Sequence, residues 1–480
     1  MSLRCLLIPL ATLLGCGDVT PDDAGGADEG PPASPNIVFL LADDLRFDHL
    51  SYAGHPVVQT PAIDALARRG TRFDSAYVTT AICSVSRASI LSGQYGRRHG
   101  IWGFERGFAA TAFAKTYPAV LRAGGYHTGF IGKWGVGPTE PVADRFDFFR
   151  GFDGQGTYHH VDAQGAYQHL TERIGLQIDS FFATVPPAGS SRPWHLSVSF
   201  KAPHALDAAP PTPSEQFPAA PRYDMFYADA EWPRPPSAQP RCADHFPDSF
   251  GPDNVARRRY ARRFATPELY DATLRGYSRL IQGIDDVVAR LVARLDALGM
   301  SDDTVIVFTS DHGFYLGEYG FAGKWYGSEV AIRIPLVVVD PRRPGGQVDA
   351  YALNIDLAPT MIDLAGLEIP SAMQGRSLTP LLGGAPAPPD WRSGFFYEHL
   401  WPGDLYDAYP IPSTEGVVTQ REKYMRYFRG EAPARGGIMF EELYRRDGSD
   451  PHEIVNLVGA SAEPMDAWAA LTDSARAATH

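Results

Sequence analysis

The sequence predicts an α/β protein, a doubly wound mixed sheet flanked by helices, with a smaller α+β subdomain at its C-terminal end. Two continuous apolar runs, Asn36 to Leu41 and Thr304 to Thr309, each end in a polar cluster, Ala42-Asp43-Asp44 and Ser310-Asp311-His312-Gly313. Such runs suit central strands buried on both faces, whose carboxyl ends bring polar side chains to the edge of the sheet where ligands gather. Leu280, Ile284, Val287, Val288, Leu291, Leu295 and Leu298 recur at helical spacing, which predicts a long amphipathic crossover helix closed by Gly299. Strand patterns alternate with helical ones over most of the chain, the rhythm of a doubly wound domain.

In order along the chain, Met1 to Arg4 and the short apolar stretch Cys5 to Leu14 read as a secretory signal over residues 1–15, too short to span a bilayer. Leu13-Leu14-Gly15-Cys16 looks like a bacterial lipobox, in which the new N-terminal Cys16 carries lipid. The alternative is a plain signal peptide cleaved nearby. Residues 16–34, rich in Pro, Gly, Ala and acidic side chains, then form a flexible tether. The expectation is an exported, membrane-anchored lipoprotein facing the periplasm or cell surface. The main domain spans 35–385, with His195 to Phe200 and Leu336 to Val339 as further strands. Ala205 to Thr266 interrupts the alternation with prolines, aromatics and an arginine cluster at Arg257, Arg258, Arg259, Arg262 and Arg263, read as a solvated helix start or, alternatively, a contact for an acidic substrate. After the break Gly383 to Pro389, residues 390–480 make the small C-terminal unit.

The 480 residues carry a net charge of -13, which argues against nucleic acid as a partner and confines any anion site to a local pocket. Of the four cysteines, Cys5 and Cys16 belong to the export segment. Cys83 and Cys242 remain, and an oxidising compartment would allow them to pair.

Asp43 and Asp44 at one strand end, and Asp311 with His312 at another, could surround one cation. Oxygen ligands dominate this set, which favours calcium, with magnesium second, over zinc. Taken singly, each pair could be only a turn or helix cap. Cys83 begins a predicted helix and Arg87 follows one turn later, a combination that attracts anions. Its structural alternatives are an ordinary small apolar cysteine or half of a disulfide.

The run Cys83-Ser84-Val85-Ser86-Arg87, continuing through Ile90-Leu91-Ser92-Gly93, resembles the signature of the formylglycine-dependent sulfatases, with Val85 as its departure. That resemblance implies an alkaline-phosphatase-like fold and oxidation of Cys83 to formylglycine by a formylglycine-generating enzyme during maturation. Gly132-Lys133-Trp134, Ala202-Pro203-His204, and Lys324 with Glu329 also resemble family motifs, as do Asp356 to Thr360, Gln374 to Leu378, and Leu443-Tyr444 to Asn456-Leu457. By resemblance, Asp43, Asp44, Asp311 and His312 hold the metal, although many sulfatases have Asn where His312 stands. Cys83, Arg87, Lys133, His204 and Lys324 are the implied catalytic set. Arg87, Lys133 and Lys324 would hold sulfate oxygens, and His204 would supply the proton for the leaving alkoxide.

Two departures carry expectations of their own. The family usually reads Gly-Lys-Trp-His where this chain has Gly135, so a base is missing, and His159 or His160 is the nearest replacement. Val418 stands where sulfatases often carry arginine. Gly154-Gln155-Gly156-x-Tyr158 is similar to a stretch of glucosamine-6-sulfatase-like members and points to a sulfated carbohydrate, small molecule or glycan, as substrate. The competing expectations are a phosphonate or phosphate diester hydrolase of the same superfamily and a catalytically silent binding lipoprotein.

Overall fold

The computed structural model describes residues 34–190, 192–206, 216–400, 411–428, 437–461 and 463–480. The expected signal, Cys16 lipid site and nearly all of the tether lie in residues 1–33, outside the described residues.

Eight strands form the main sheet: β1 Asn36–Ala42, β2 Thr71–Phe73, β3 His127–Lys133, β4 Phe148–Phe152, β5 Trp194–Ser199, β6 Thr304–Ser310, β7 Leu336–Val339 and β8 Gly346–Val348. Their order is β8-β2-β7-β6-β1-β5-β3-β4. Neighbours from β6 through β4 run parallel, whereas β7 is antiparallel to both β6 and β2, so the sheet is mixed as expected. The two apolar runs are adjacent, with Ala42 opposite Ser310 and Leu41 opposite Ser199. This register brings the carboxyl ends of β6, β1 and β5 level, and the polar residues that follow them share one edge.

Alternate side chains of β1 enter different cores. Val38 and Leu40 pack with Ile63 and Leu66 of α1 (Pro61–Arg69) and with Leu280, Ile284 and Val288 of the long crossover helix. Ile37, Phe39 and Leu41 face the opposite layer with Val85, Ile90, Leu121, Met361 and Ile362. Each fully buried aliphatic side chain contributes about 2 kcal/mol from removal of apolar surface from water. The crossover helix spans Pro267–Ala297 and starts well before its apolar stripe. Pro267 fits the first turn, where its missing N–H is no loss, and the Thr266 side chain accepts from the Leu269 N–H. Gly299 at φ +65 follows the helix end. No helix among the described residues is long and apolar enough to cross a membrane.

A second, antiparallel sheet of four strands, Gly394–His399, Ser413–Thr419, Glu422–Phe428 and Ile438–Arg445, forms the C-terminal part with the helix Met465–Ala478. Phe395, Tyr397, Tyr424 and Leu443 of this sheet join the same core as Val85 and Tyr77. Tyr397 Oη donates to the Trp325 carbonyl at 2.7 Å and accepts from the Ala81 N–H at 3.3 Å, tying the strand to two segments that also bond each other, Trp325 N–H to the Ala81 carbonyl at 3.2 Å.

Cys83 and Cys242 are both buried free thiols, so the alternative of a disulfide between them is not what forms. The arginine cluster also departs from a solvated helix start. Arg257 lies over the Phe321 ring at 4.4 Å and donates to the Phe250 carbonyl, Arg259 lies over Trp325 at 5.0 Å, and Arg263 donates to Gln216. Planar guanidinium groups stacked on aromatic faces pack this segment onto the domain.

Candidate active site

Four strand ends supply most of the candidate side chains. Asp43 and Asp44 follow β1, Lys133 ends β3, His204 follows β5, and Asp311 and His312 follow β6. Cys83 opens the helix Cys83–Ser92, with Arg87 one turn later, and all ten residues of that helix are buried. Val85 and Ile90 hold it in the core, and Gly93 at φ +64 ends it, as a left-handed C-terminal residue does.

The Cys83 sulfur is the centre of the cluster. Its thiol donates to Asp43 Oδ1 at 3.2 Å, His312 Nε2 lies at 3.3 Å, and Lys324 Nζ donates to it at 3.4 Å. Arg87 Nε donates to Asp311 Oδ2 at 2.9 Å, its Nη2 lies 3.2 Å from Asp43 Oδ2, and Nη1 reaches the Lys133 carbonyl and Ser199 Oγ. Lys133 Nζ donates to Asp43 Oδ2 and to Gln155 Oε1. Lys324 Nζ donates to Asp44 Oδ1 at 2.7 Å. His204 Nδ1 lies 2.5 Å from the Ala205 carbonyl, which can only accept, so this nitrogen carries the proton; Nε2 lies 3.7 Å from Asp44 Oδ2. All nine expected site residues are therefore brought together, each no more than 4 % exposed.

Burial is the largest influence on the Cys83 thiol and pushes it far above its ordinary value; Asp43 and Asp311 act in the same direction against Lys133 and Lys324. A thiol held protonated is a poor nucleophile. Burial would also raise Asp43, but the charges of Lys133, His204, Arg87 and Lys324 outweigh it and hold that carboxyl well below the usual range. Asp44 has fewer cationic partners, so burial dominates and raises it, helped by Asp43 and Asp311.

The donor set fits a hard divalent cation. Ligand atoms of Asp43, Cys83, Asp311 and His312 lie within 4.8 Å of one another, as do those of Asp43, Asp44, Cys83 and His204. Asp44 Oδ2 is buried and accepts no hydrogen bond among the described residues. A carboxylate oxygen left so is costly unless a cation meets it.

Several expectations change. His159 and His160 do not turn toward Lys133: exposed His159 meets Tyr167 Oη through Nδ1 at 3.1 Å, and His160 bonds the Thr157 carbonyl and Arg173. The glycine-rich loop does approach, but through Gln155. Glu329 does not join the cluster around Lys324; it pairs with Arg446 at 2.7 Å and accepts from Tyr77 Oη. Val418 is buried within the C-terminal sheet, opposite Phe395 and Lys423. Gly135 has φ +72, and a Cβ placed there would lie 2.8 Å from Arg87 Cδ. No ordinary side chain fits that position without displacing the arginine.

Sequence reasoning missed Ser199, which receives Arg87, and the relay in which Asn354 Nδ2 donates to Ser86 Oγ while Ser86 Oγ donates to the Asp311 carbonyl at 2.5 Å. Their only sequence signal was proximity to strand or helix ends. They steer the groups that face Cys83.

A mixed α/β sheet whose strand ends enclose a buried cysteine with three carboxylates and five cationic or imidazole side chains defines a metal-dependent hydrolase of anionic esters. The sulfatase family pattern matches residues 35–367, and the chain belongs to the sulfatase family; it is a sulfuric ester hydrolase. The pattern described as N-sulphoglucosamine sulphohydrolase, C-terminal, matches residues 317–472. The chain is 26% identical over 523 residues to the N-acetylglucosamine-6-O-sulfatase of Bacteroides thetaiotaomicron, covering 95% of this chain and 87% of that protein. A solved structure of a protein with its substrate D-glucosamine-2-N,6-O-disulfate has a TM-score of 0.74 at 24% identity, over 93% of this chain and 98% of that one. The phosphonate monoester hydrolase SpPMH of Silicibacter pomeroyi has a TM-score of 0.70 at 26% identity, over 92% and 94% of the two chains.

Proposed function

We propose that the protein hydrolyses sulfate esters of amino sugars, with Cys83 matured to formylglycine and one divalent cation, calcium in preference to magnesium, held by Asp43, Asp44, Asp311 and His312. The observation that carries this reading is the convergence of Asp43, His312 and Lys324 on the Cys83 sulfur within 3.4 Å in a chain of the sulfatase family. The likeness to an N-acetylglucosamine-6-O-sulfatase supports the amino-sugar class. Export and lipid anchoring through Cys16 complete the proposal and rest on the N-terminal sequence, and maturation requires a formylglycine-generating enzyme as partner.

Oxidation of Cys83 exchanges an inert thiol for an aldehyde whose hydrate supplies an oxygen nucleophile. The cation, when bound, adds positive charge beside the reacting anion and eases deprotonation of that hydroxyl. Arg87, Lys133 and Lys324 present fixed positive charge to the sulfate oxygens, where charge stabilisation is strongest in a site closed to water. His204 holds its Nδ1 proton on the Ala205 carbonyl, which orients Nε2; a proton carried there passes to the leaving sugar oxygen. Asp44 Oδ2 beside that nitrogen stabilises the charged ring in the meantime.

The test is turnover by protein co-produced with a formylglycine-generating enzyme. Release of sulfate from N-acetylglucosamine 6-sulfate is the expected result. Phosphonate monoesters belong in the same assay because of the likeness to a phosphonate monoester hydrolase, and turnover of these alone would replace the sulfatase reading.

A further inference from the structure

Lys133 is wholly buried and its ammonium has two partners among the described residues, Asp43 Oδ2 and Gln155 Oε1 at 2.7 Å. The two partners differ in kind. Asp43 belongs to the metal-type cluster, whereas Gln155 reaches in from a half-buried position on the loop between β4 and the strand His159–Val161. Gly154 at φ +61 and Gly156 at φ +63 flank it, a backbone that non-glycine residues rarely adopt, and a Cβ at Gly156 would lie 2.6 Å from the Phe152 ring. The loop is built to place this one side chain. Tyr158, two residues beyond Gly156, anchors the loop by donating to the His204 carbonyl at 2.7 Å.

We infer that Gln155 is the positioning residue for Lys133 in sulfate recognition. The inference rests on the reading of the Cys83 cluster as a sulfate site. Gly135 is closed to substitution by Arg87 Cδ, and its Cβ position lies 3.6 Å from Lys133 Cε, so a group that orients this lysine has to come from elsewhere. An amide suits the task better than a carboxylate. It accepts from the ammonium without cancelling its charge, and it adds no negative charge facing a substrate anion.

A double-mutant cycle between Gln155 and Lys133 tests this, read by calorimetric binding of inorganic sulfate and by kcat and KM on N-acetylglucosamine 6-sulfate. Sulfate binding needs no turnover, so the cycle reports even on protein whose Cys83 is unmodified. Gln155→Ala is expected to weaken sulfate about tenfold, the scale of one hydrogen bond to a charged group, and to have no further effect in a Lys133→Ala background. Gln155→Glu keeps the acceptor in place and is expected to bind sulfate no better than Gln155→Ala. Equal losses in the presence and absence of Lys133, unchanged sulfate affinity in Gln155→Ala, or wild-type affinity in Gln155→Glu would each overturn the inference. Wild-type protein that binds sulfate through a coupled Gln155 and Lys133 yet turns over no sulfate ester would overturn the proposed activity and leave the positioning role standing.

Discussion

Cys83 donates its thiol proton to Asp43 Oδ1 at 3.2 Å, so the proposed nucleophile position and a candidate metal ligand are in direct contact. A thiolate beside two carboxylates in a buried site is the costlier form, so burial, with Asp43 and Asp311, pushes the thiol above its ordinary value.

Mass spectrometry of the peptide containing Cys83, from protein made with a formylglycine-generating enzyme, is expected to show the aldehyde. Cys83→Ala should reduce turnover to background while leaving the melting temperature within a few degrees, since the lost thiol is small. A peptide found wholly as cysteine in fully active protein would refute the assignment.

Metal analysis is expected to give one divalent cation per chain. Chelation should abolish activity and lower the melting temperature, because Asp43, Asp44 and Asp311 would then face one another with less compensating charge. Calcium should restore both better than magnesium. Asp311→Asn, which also loosens the Arg87 guanidinium, should lower kcat/KM by about a hundredfold or more. Two zinc ions per chain would contradict this centre.

Gly135→His, although it recreates the usual family residue, should lower activity. The position has φ +72 and the new Cβ would press on Arg87, so a stability loss of about 1–3 kcal/mol is expected together with a fall in kcat. Thermal melting and steady-state kinetics on the same preparation check both. A rise in kcat would show that Arg87 yields freely.

Glu329 gives a stability prediction separate from the chemistry. Burial would raise its carboxyl, but Arg446, Arg333 and Lys423 outweigh that and take it from 4.5 down to about 2. A depressed carboxyl contributes stability that is complete above its unfolded value and is lost as pH falls through the folded one. The wild-type melting temperature should therefore drop between about pH 4.5 and pH 2 in part through this group. Glu329→Gln should flatten that decline and cost about 3 kcal/mol at neutral pH by leaving Arg446 underpaired.

The central strands were legible because buried parallel strands need apolar runs, and the runs ending at Ala42 and Ser310 have no competing helical period. The same two strand ends disclosed Asp43, Asp44, Asp311 and His312, and the register of β1 with β6 explains why they meet. Gln155 was harder to read: its contact with Lys133 depends on two left-handed glycines, and nothing in one-dimensional spacing separates Gln155 from the histidines just after it. Glu329 misled for the opposite reason. It lies five residues after Lys324, but the segment between includes Trp325 at φ +87, and the chain turns Glu329 toward Arg446 instead. The arginines of helix Val255–Arg263 were read by charge alone, whereas their aromatic partners Phe321 and Trp325 lie more than sixty residues away in the chain.

The complete burial of Cys83 sets an order of events in the life of the chain. Its sulfur sits at the start of a helix whose ten residues are all shielded, and the Tyr397 hydroxyl fastens the neighbouring Ala81 and Trp325 to a strand made more than three hundred residues after Cys83 in synthesis. An oxidising enzyme could not reach that sulfur once the C-terminal sheet has docked. The oxidation of Cys83 proposed above therefore belongs to the interval when the N-terminal part of the chain is still extended, and on that reading a protein folded first as the thiol would stay inactive.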